Sequence, residues 1–338
     1  MAAIKKQDFS AIKKKYSEEA SFKPDRYFDL GDAFLDACGI PGPAMGHLNM
    51  LLGHSDTGKT VALIKTAIDA QRKDILPVFL ISEQKWTFDH AKLMGFQCEK
   101  VIKEGGDLDW DGFFLFNNHF DYLEQITDYV NTLLDAQDKN ELDYDLCFLW
   151  DSVGSIPCHM TYDGKGGRQH NAAVLADKIG MGLNQRITGS RRSDKKHTNT
   201  MVICNQAWVE LADNPFSQPR IKSKGGEAIW LNSSLVFLFG NQKGSGITKI
   251  SITKDKRKVK IATRTKVSVM KNHISGLGYE DGRILITAHD FMKAKDEKEE
   301  KASIEEYKKT AGEYISEKLG ISTSEISDAS IIIEEDSE

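Results

Sequence analysis

Gly53-His-Ser-Asp-Thr-Gly-Lys-Thr60 is the stretch on which the fold turns. An apolar run, His47-Leu-Asn-Met-Leu-Leu-Gly53, leads into it, and Val61-Ala-Leu-Ile-Lys-Thr-Ala-Ile-Asp-Ala70 follows with a helical pattern. A Gly-x-x-x-x-Gly-Lys-Thr octet between a strand and a helix is the P-loop pattern. Gly53 and Gly58 let the backbone curl so that successive N–H groups, from His54 through Ser55, Asp56 and Thr57, face phosphates. The helix that begins there adds its partial positive charge. Lys59 is expected to reach the β- and γ-phosphates and the Thr60 hydroxyl to ligate a metal, so ATP and Mg²⁺ are the expected cofactors. The bland alternative, a structural glycine turn, does not require the strand before it or the helix after it.

Working outward, further short apolar runs alternate with helical stretches: Val78-Phe-Leu-Ile-Ser82, Leu146-Cys-Phe-Leu-Trp150, Thr200-Met-Val-Ile-Cys-Asn-Gln206 and Ser234-Leu-Val-Phe-Leu-Phe239. That alternation predicts an α/β fold with a mostly parallel sheet covered by helices on both faces. From Ile247 to Ile286 the pattern changes to alternating segments with turns between them, as in an antiparallel extension. Beyond Met292 the chain reads as a charged, solvated helix, and residues 322–338 as a disordered acidic tail. The expected organisation is an N-terminal arm over 1–28, a core over 29–292, and the charged helix and tail over 293–338.

The 338 residues and 40% hydrophobic content support a substantial core. The net charge of −5 does not advertise nucleic-acid binding by the whole molecule, so local patches must be read instead. The five cysteines are scattered without a CxxC pair, which fits buried thiols better than zinc or disulfides. No apolar run approaches the ~20 residues of a membrane helix, and the start of the chain lacks a signal-peptide pattern, so a cytoplasmic protein without a membrane partner is expected.

A P-loop needs a second metal partner, and the run ending at Asp151 delivers a carboxylate from the end of a buried strand. Asp151 could also merely cap the segment that follows. Glu83, just past the end of another strand, is the candidate to orient or deprotonate the attacking water. Asn205 and Gln206 end a third strand, where an amide could sense the γ-phosphate or anchor a loop.

The ordered combination of the P-loop, Glu83, Asp151-Ser152-Val153-Gly154-Ser155, Asn205-Gln206 and Gly225-Gly226-Glu227-Ala228-Ile229 resembles the RecA family of DNA recombinases. The likeness runs from about Asp29 to Phe291, and the chain length and short arm look most like the phage UvsX-type members. The resemblance implies a RecA-like P-loop ATPase core with an antiparallel extension, a short N-terminal arm and an acidic C-terminal tail. It implies Glu83 as catalytic glutamate and Gln206 as the γ-phosphate sensor coupled to a DNA-binding loop. That second loop would span Ala207 to Gly226, with the first over roughly Cys158 to Asn171.

Both proposed loops have suitable chemistry of their own. The first carries Lys165 and Arg168; the second carries Trp208 and Phe216 beside Arg220, Lys222 and Lys224, then Gly225 and Gly226. Cations neutralise phosphates and rings stack on unpaired bases, as single-stranded DNA requires. Trp208 packed against the core is the competing reading. The basic run Lys254 to Lys260, with Arg264 and Lys266, resembles a secondary site for duplex DNA, or else is a solvated face.

The family also inserts two lysines from a neighbouring subunit toward the γ-phosphate; here Lys271 keeps the first and His273 replaces the second. Where the family often stacks an aromatic ring on adenine, this chain has His90. The implied partners are single-stranded DNA, homologous duplex DNA, further copies of the chain in a helical homo-oligomer, and a single-strand-binding protein and loader. The rival readings are a hexameric helicase or motor, with Arg264 or Arg283 as arginine finger, and a RecA-like paralogue that binds ATP without exchanging strands.

Overall fold

The computed structural model describes residues 21–103, 105–210, 220–224, 227–241, 246–254, 257–320, 322–326 and 329–335. Strand β1 (Leu48–Gly53) is buried along its whole length, and its residues alternate between two cores. Leu51 enters one with Phe34, Phe79 and Phe237. Leu48, Met50 and Leu52 enter the other with Phe148 and Trp150. Burial on both faces is why the run reads as continuously apolar rather than alternating.

Strands β2 (Leu76–Ile81), β5 (Leu115–Asn117), β6 (Leu146–Asp151), β7 (Thr200–Glu210) and β9 (Leu235–Phe239) run parallel to β1 in the order β9-β1-β7-β6-β2-β5. The short hairpin of β3 (Glu99–Ile102) and β4 (Leu108–Asp111) forms a separate two-stranded sheet. On the first face of the main sheet lie the helices Asp32–Cys38, Lys59–Arg72 and Phe88–Leu93, which contribute Phe34, Leu63 and Phe88 to the first core. The helix Leu123–Asp138 and the helical stretch from Arg168 to Gly189 cover the second, through residues such as Ile126, Val130, Ile179 and Ile187.

Beyond β9 the sheet turns antiparallel. β10 (Thr248–Lys254), β11 (Arg257–Asn272), β12 (Gly282–Thr287) and β13 (Phe291–Lys293) follow, with β11 paired to β9, β10 and β12. β8 (Arg220–Ser223) pairs antiparallel with the far end of β7.

The end of the chain differs from the solvated helix and disordered tail that its charge predicts. Helix Glu297–Thr310 starts at Asp296, whose side chain accepts from Glu299 N at 2.8 Å, and helix Gly312–Leu319 follows. Ile304, Tyr307, Ala311, Ile315 and Leu319 recur at helical spacing and bury against Ile250, Ile252, Ile261 and Leu285, making a third core. β14 (Ser330–Glu335) then pairs antiparallel with β10. The three consecutive isoleucines 331–333 supply strand propensity, and pairing satisfies a β10 edge that would otherwise expose its backbone groups. The chain past residue 293 is therefore packed on the antiparallel extension in the described residues.

The expected arm lies outside the described residues up to residue 20. Its last part docks on this chain's own core: Phe28 is fully buried, and Lys23 Nζ donates to His197 O at 3.0 Å and to Thr198 Oγ1 at 2.8 Å. Among the described residues no helix is long and apolar enough to cross a membrane.

Candidate functional site

The parallel strands end along one edge of the sheet. Gly53 stands opposite Gln206 on one side and Phe239 on the other, and Ile81 stands opposite Asp151. The P-loop springs from this edge. A Cβ on Gly53 would lie 2.4 Å from the Phe239 carbonyl oxygen, and one on Gly58 (φ +99°) would lie 2.3 Å from Ile286 Cδ1. Both positions therefore demand glycine, and the helix Lys59–Arg72 starts directly after the second.

Lys59 folds back over the loop, its Nζ donating to the His54 carbonyl at 2.5 Å. Burial pushes the ammonium below the usual lysine range, against the opposing pull of Cys204, Asp151, Glu83 and Asp56. His54 Nε2 is buried without a hydrogen-bond partner among the described residues. Burial, then the Lys59 charge, pushes the His54 imidazole below its ordinary pKa.

Thr60 Oγ1 donates to Asp151 Oδ2 at 2.8 Å. Burial raises the Asp151 carboxyl above the usual range, opposed by the Thr60 hydrogen bond. A half-buried carboxylate beside a hydroxyl is the hard oxygen pair that Mg²⁺ takes, and its charge would be compensated by the cation. The loop amides, Lys59, Thr60 and Asp151 thus fit a nucleotide triphosphate with Mg²⁺: the loop and Lys59 would hold the phosphates, Thr60 and Asp151 the metal.

Glu83 lies beside this pair. Its Oε1 accepts from Ser152 Oγ at 2.5 Å and its Oε2 pairs with Lys85 Nζ at 3.2 Å. Burial alone would raise the Glu83 carboxyl, but hydrogen bonds from Ser152 and Lys85, and the charges of Lys85 and Lys59, bring it below the usual value. A depressed folded-state pKa adds stability that is present above the unfolded pKa and lost as pH falls through the folded one. Ser152→Ala should move the Glu83 carboxyl up toward the ordinary ~4.3. Carbon-detected NMR titration of wild type and variant reads this shift, and an unmoved titration midpoint would show that Ser152 is not what holds it.

Gln206 is half-buried at the edge between β1 and the hairpin of β7 and β8. Its carbonyl accepts from Lys224 N at 3.1 Å, and Asn205 Nδ2 donates to Lys224 O at 2.8 Å. The strand end is thus tied to the segment that follows the hairpin. The expected loop from Ala207 to Gly226 begins and ends, in the described residues, as a β-hairpin stem with Trp208 opposite Lys222 and Glu210 opposite Arg220. Alternation along β7 continues past Gln206, and cross-strand pairing satisfies the backbone that a loop would leave to water.

Trp208 is 52% exposed, against the core-packed reading. It lines a cavity of about 980 Å³ with Lys222, Lys224 and Gln206. Phe216, Gly225 and Gly226 lie outside the described residues, as do the side chains of Arg168 and Arg220.

The expected first loop, 158–171, contains a short helix, His159–Tyr162, and the start of the helix Arg168–Leu175. Asn171 Oδ1 closes it by accepting from Cys158 N at 2.6 Å, and Lys165 pairs with Asp163 at 3.2 Å.

The structure does not bring Lys271 and His273 to the P-loop of their own chain. β11 runs antiparallel to β9 with Lys271 opposite Val236, at the far edge of the sheet from Gly53 and Phe239. There Lys271 Nζ donates to the Trp230 and Leu231 carbonyls, each at 2.8 Å, near the end of helix Glu227–Asn232, and burial lowers its pKa. His273 is exposed nearby.

His90, from the helix Phe88–Leu93, lines the cavity of about 560 Å³ that opens from Asp56–Val61. Burial pushes its imidazole down, opposed by a hydrogen bond with the Ala288 backbone. Three of the described basic side chains of this run are answered by acids of this chain: Lys258 pairs with Glu334 at 2.5 Å, Arg264 with the buried Glu300 at 3.1 Å, and Lys266 with Asp281 at 2.6 Å.

Two features of the site escape sequence reasoning. Ser152 was visible only as part of the Asp151-Ser152 pair, with nothing to show that its hydroxyl holds Glu83. Tyr307, Tyr314 and Lys318 wall the cavity above the P-loop, and only the apolar stripe through Ile304, Tyr307, Ala311 and Ile315 signalled that their helices dock at all.

No family model matches the chain. It is similar to Protein RecA of Wolinella succinogenes, with 22% identity over 239 residues that make up 71% of this chain and 58% of that protein. The chain thus spans less than two thirds of the length of the curated relative it matches. The sheet order, the P-loop edge and this distant likeness together support a RecA-like family and a P-loop ATPase, and the core is RecA-like in fold.

Proposed function

We propose that the chain is an ATP-dependent DNA recombinase that assembles on single-stranded DNA as a helical filament and promotes homologous pairing and strand exchange. The observation that carries this reading is the position of Gln206. It sits one strand away from the P-loop and at the root of a hairpin presenting Trp208 and Lys222. In this reading the γ-phosphate, engaged by Gln206, biases the hairpin toward a DNA-binding arrangement, and hydrolysis assisted by Glu83 releases it. Mg²⁺ held by Thr60 and Asp151 would neutralise charge on the phosphates. Lys271 and His273 lie at the opposite sheet edge, where they would meet the P-loop of a neighbouring subunit rather than their own. Within this reading the chain would stand with the phage UvsX-type recombinases, with a single-strand-binding protein and a loader as further partners.

The helicase reading loses support from the first of its two arginine-finger candidates. Arg264 is committed to the buried Glu300, and Arg283 donates to the Lys295 carbonyl at 2.9 Å.

The deciding experiment is joint-molecule formation between homologous single-stranded and duplex DNA with Mg²⁺ and ATP, using Lys59→Ala as the control. Products that need both ATP and Lys59 support the recombinase. Unwinding without pairing supports the helicase, and neither activity supports a non-exchanging paralogue. Trp208→Ala should weaken single-stranded DNA binding about 5- to 150-fold, the loss of one stacked base at ~1–3 kcal/mol. Fluorescence anisotropy with an oligonucleotide checks this, and unchanged affinity would remove Trp208 from the interface.

A further inference from the structure

The cavity beside the P-loop has a wall that the ATPase reading leaves unused. Asp56–Val61 form one side, and β11 with Ile286–Ala288 form another. The remaining wall comes from the two C-terminal helices, through Tyr307, Tyr314, Ile315 and Lys318. A volume of about 560 Å³ lies in the range of small-molecule sites, and phosphates on the loop amides would leave the space away from the loop to the rest of the nucleotide.

That wall is held in place before any ligand arrives. Tyr314 meets His289 edge-on, with ring centroids 5.1 Å apart at 86°. His289 Nδ1 is hydrogen-bonded to the Tyr307 hydroxyl at 2.8 Å, and Tyr307 is buried in the third core. Lys318 places its ammonium over the Tyr314 ring, 5.5 Å from the centroid. Packing of the helices on the sheet accounts for Ile304, Tyr307, Ile315 and Leu319. Tyr314 leans only partly on the same core, and packing does not account for its half-open ring and the exposed Lys318 ammonium lining the same cavity as the phosphate loop.

We propose that the C-terminal helix pair is part of the nucleotide site, with Tyr314 and Lys318 receiving the ribose and base of a nucleotide whose phosphates lie on the P-loop. A planar base offers a face or edge to the tyrosine ring, and the ammonium donates to ribose hydroxyls or to ring acceptors. The proposal rests on the reading of Gly53–Thr60 as the phosphate site. It also makes the docking of the C-terminal segment, including β14 on β10, responsive to nucleotide, because a ligand that touches only the docked arrangement stabilises it.

The test compares ADP with inorganic tripolyphosphate, each with Mg²⁺, on the full chain by calorimetry. Tyr314→Ala and Lys318→Ala should each weaken ADP binding about three- to tenfold and leave tripolyphosphate affinity within about twofold. Lys59→Ala should weaken both probes. Unchanged ADP affinity in both C-terminal variants, with Lys59→Ala still impaired, would overturn the proposal and leave the phosphate site intact. Wild type that binds neither probe would overturn both. Hydrogen exchange of wild type removes any dependence on variant folding: amides of 312–319 should gain protection with ADP and not with tripolyphosphate, and equal exchange with the two probes would count against the proposal.

Discussion

Glu83→Gln is expected to lower kcat for ATP hydrolysis by about 10²–10⁴-fold while nucleotide affinity stays within a few-fold. The amide is nearly isosteric and can still accept the hydrogen bond from Ser152, so the sheet edge keeps its shape. What disappears is the carboxylate charge and the capacity to take a proton from water. Glu83 suits that task by position, next to Asp151 through Ser152 and Lys85, and by charge, since its neighbours keep it ionised despite burial. A base whose pKa is depressed stays deprotonated through the range where an ordinary glutamate titrates, so its own acid limb in kcat/KM falls below about pH 4.3. Single-turnover hydrolysis with parallel nucleotide binding separates the two effects. A fall of less than tenfold in kcat would take Glu83 out of the proton-transfer role.

The sheet and the site were legible in the sequence to different degrees, for physical reasons. β1, β2, β6, β7 and β9 announce themselves because a strand buried on both faces has to be apolar throughout. The P-loop is legible because the close approach of the Phe239 carbonyl at Gly53 and the left-handed backbone at Gly58 both call for glycine. Long-range partners are different. No spacing in the chain says that Ser152 will hold Glu83, since the two are brought together only by the pairing of β2 with β6. Nor does charge tell whether Arg264 and Lys258 face solvent or Glu300 and Glu334, because ion pairs depend on where a distant segment docks. The C-terminal segment misled for the same reason. Its many charged residues dominate the composition, while Ile304, Tyr307, Ala311, Ile315 and the isoleucines 331–333 carry the burial.

In the recombinase reading Lys271 and His273 would tie the site to assembly. Both sit at the sheet edge opposite the P-loop, so in the recombinase reading a single chain offers its phosphate site without the two groups the resemblance assigns to it. Hydrolysis by that route should then depend steeply on protein concentration, because the site is completed only when a second copy docks. Lys271 would have to exchange the Trp230 and Leu231 carbonyls for phosphate, and its charge-assisted hydrogen bond to phosphate has to outweigh the two bonds to carbonyls that it replaces.

Lys59→Ala should reduce kcat/KM for ATP by about 10²–10³-fold, as expected for removing a preorganised donor from the site of developing charge. Lys59 is the cation at the start of the helix, buried and already folded across the loop onto the His54 carbonyl. Binding of a triphosphate offers that ammonium a better acceptor than a neutral carbonyl, and its negative charge would add to the pull of Asp151, Glu83 and Asp56 against the lowering by burial. Without the ammonium, the phosphates would face the two carboxylates Asp151 and Glu83 with one full positive charge fewer, leaving the metal and the loop amides to offset the repulsion. The loss should therefore be larger for ATP than for ADP, because the missing charge belongs to the β- and γ-phosphates. Titration calorimetry of both nucleotides alongside steady-state hydrolysis reads this difference. An equal and small loss for the two would mean that Lys59 serves to hold the loop through His54, and the phosphate contact would have to be assigned to the loop amides alone.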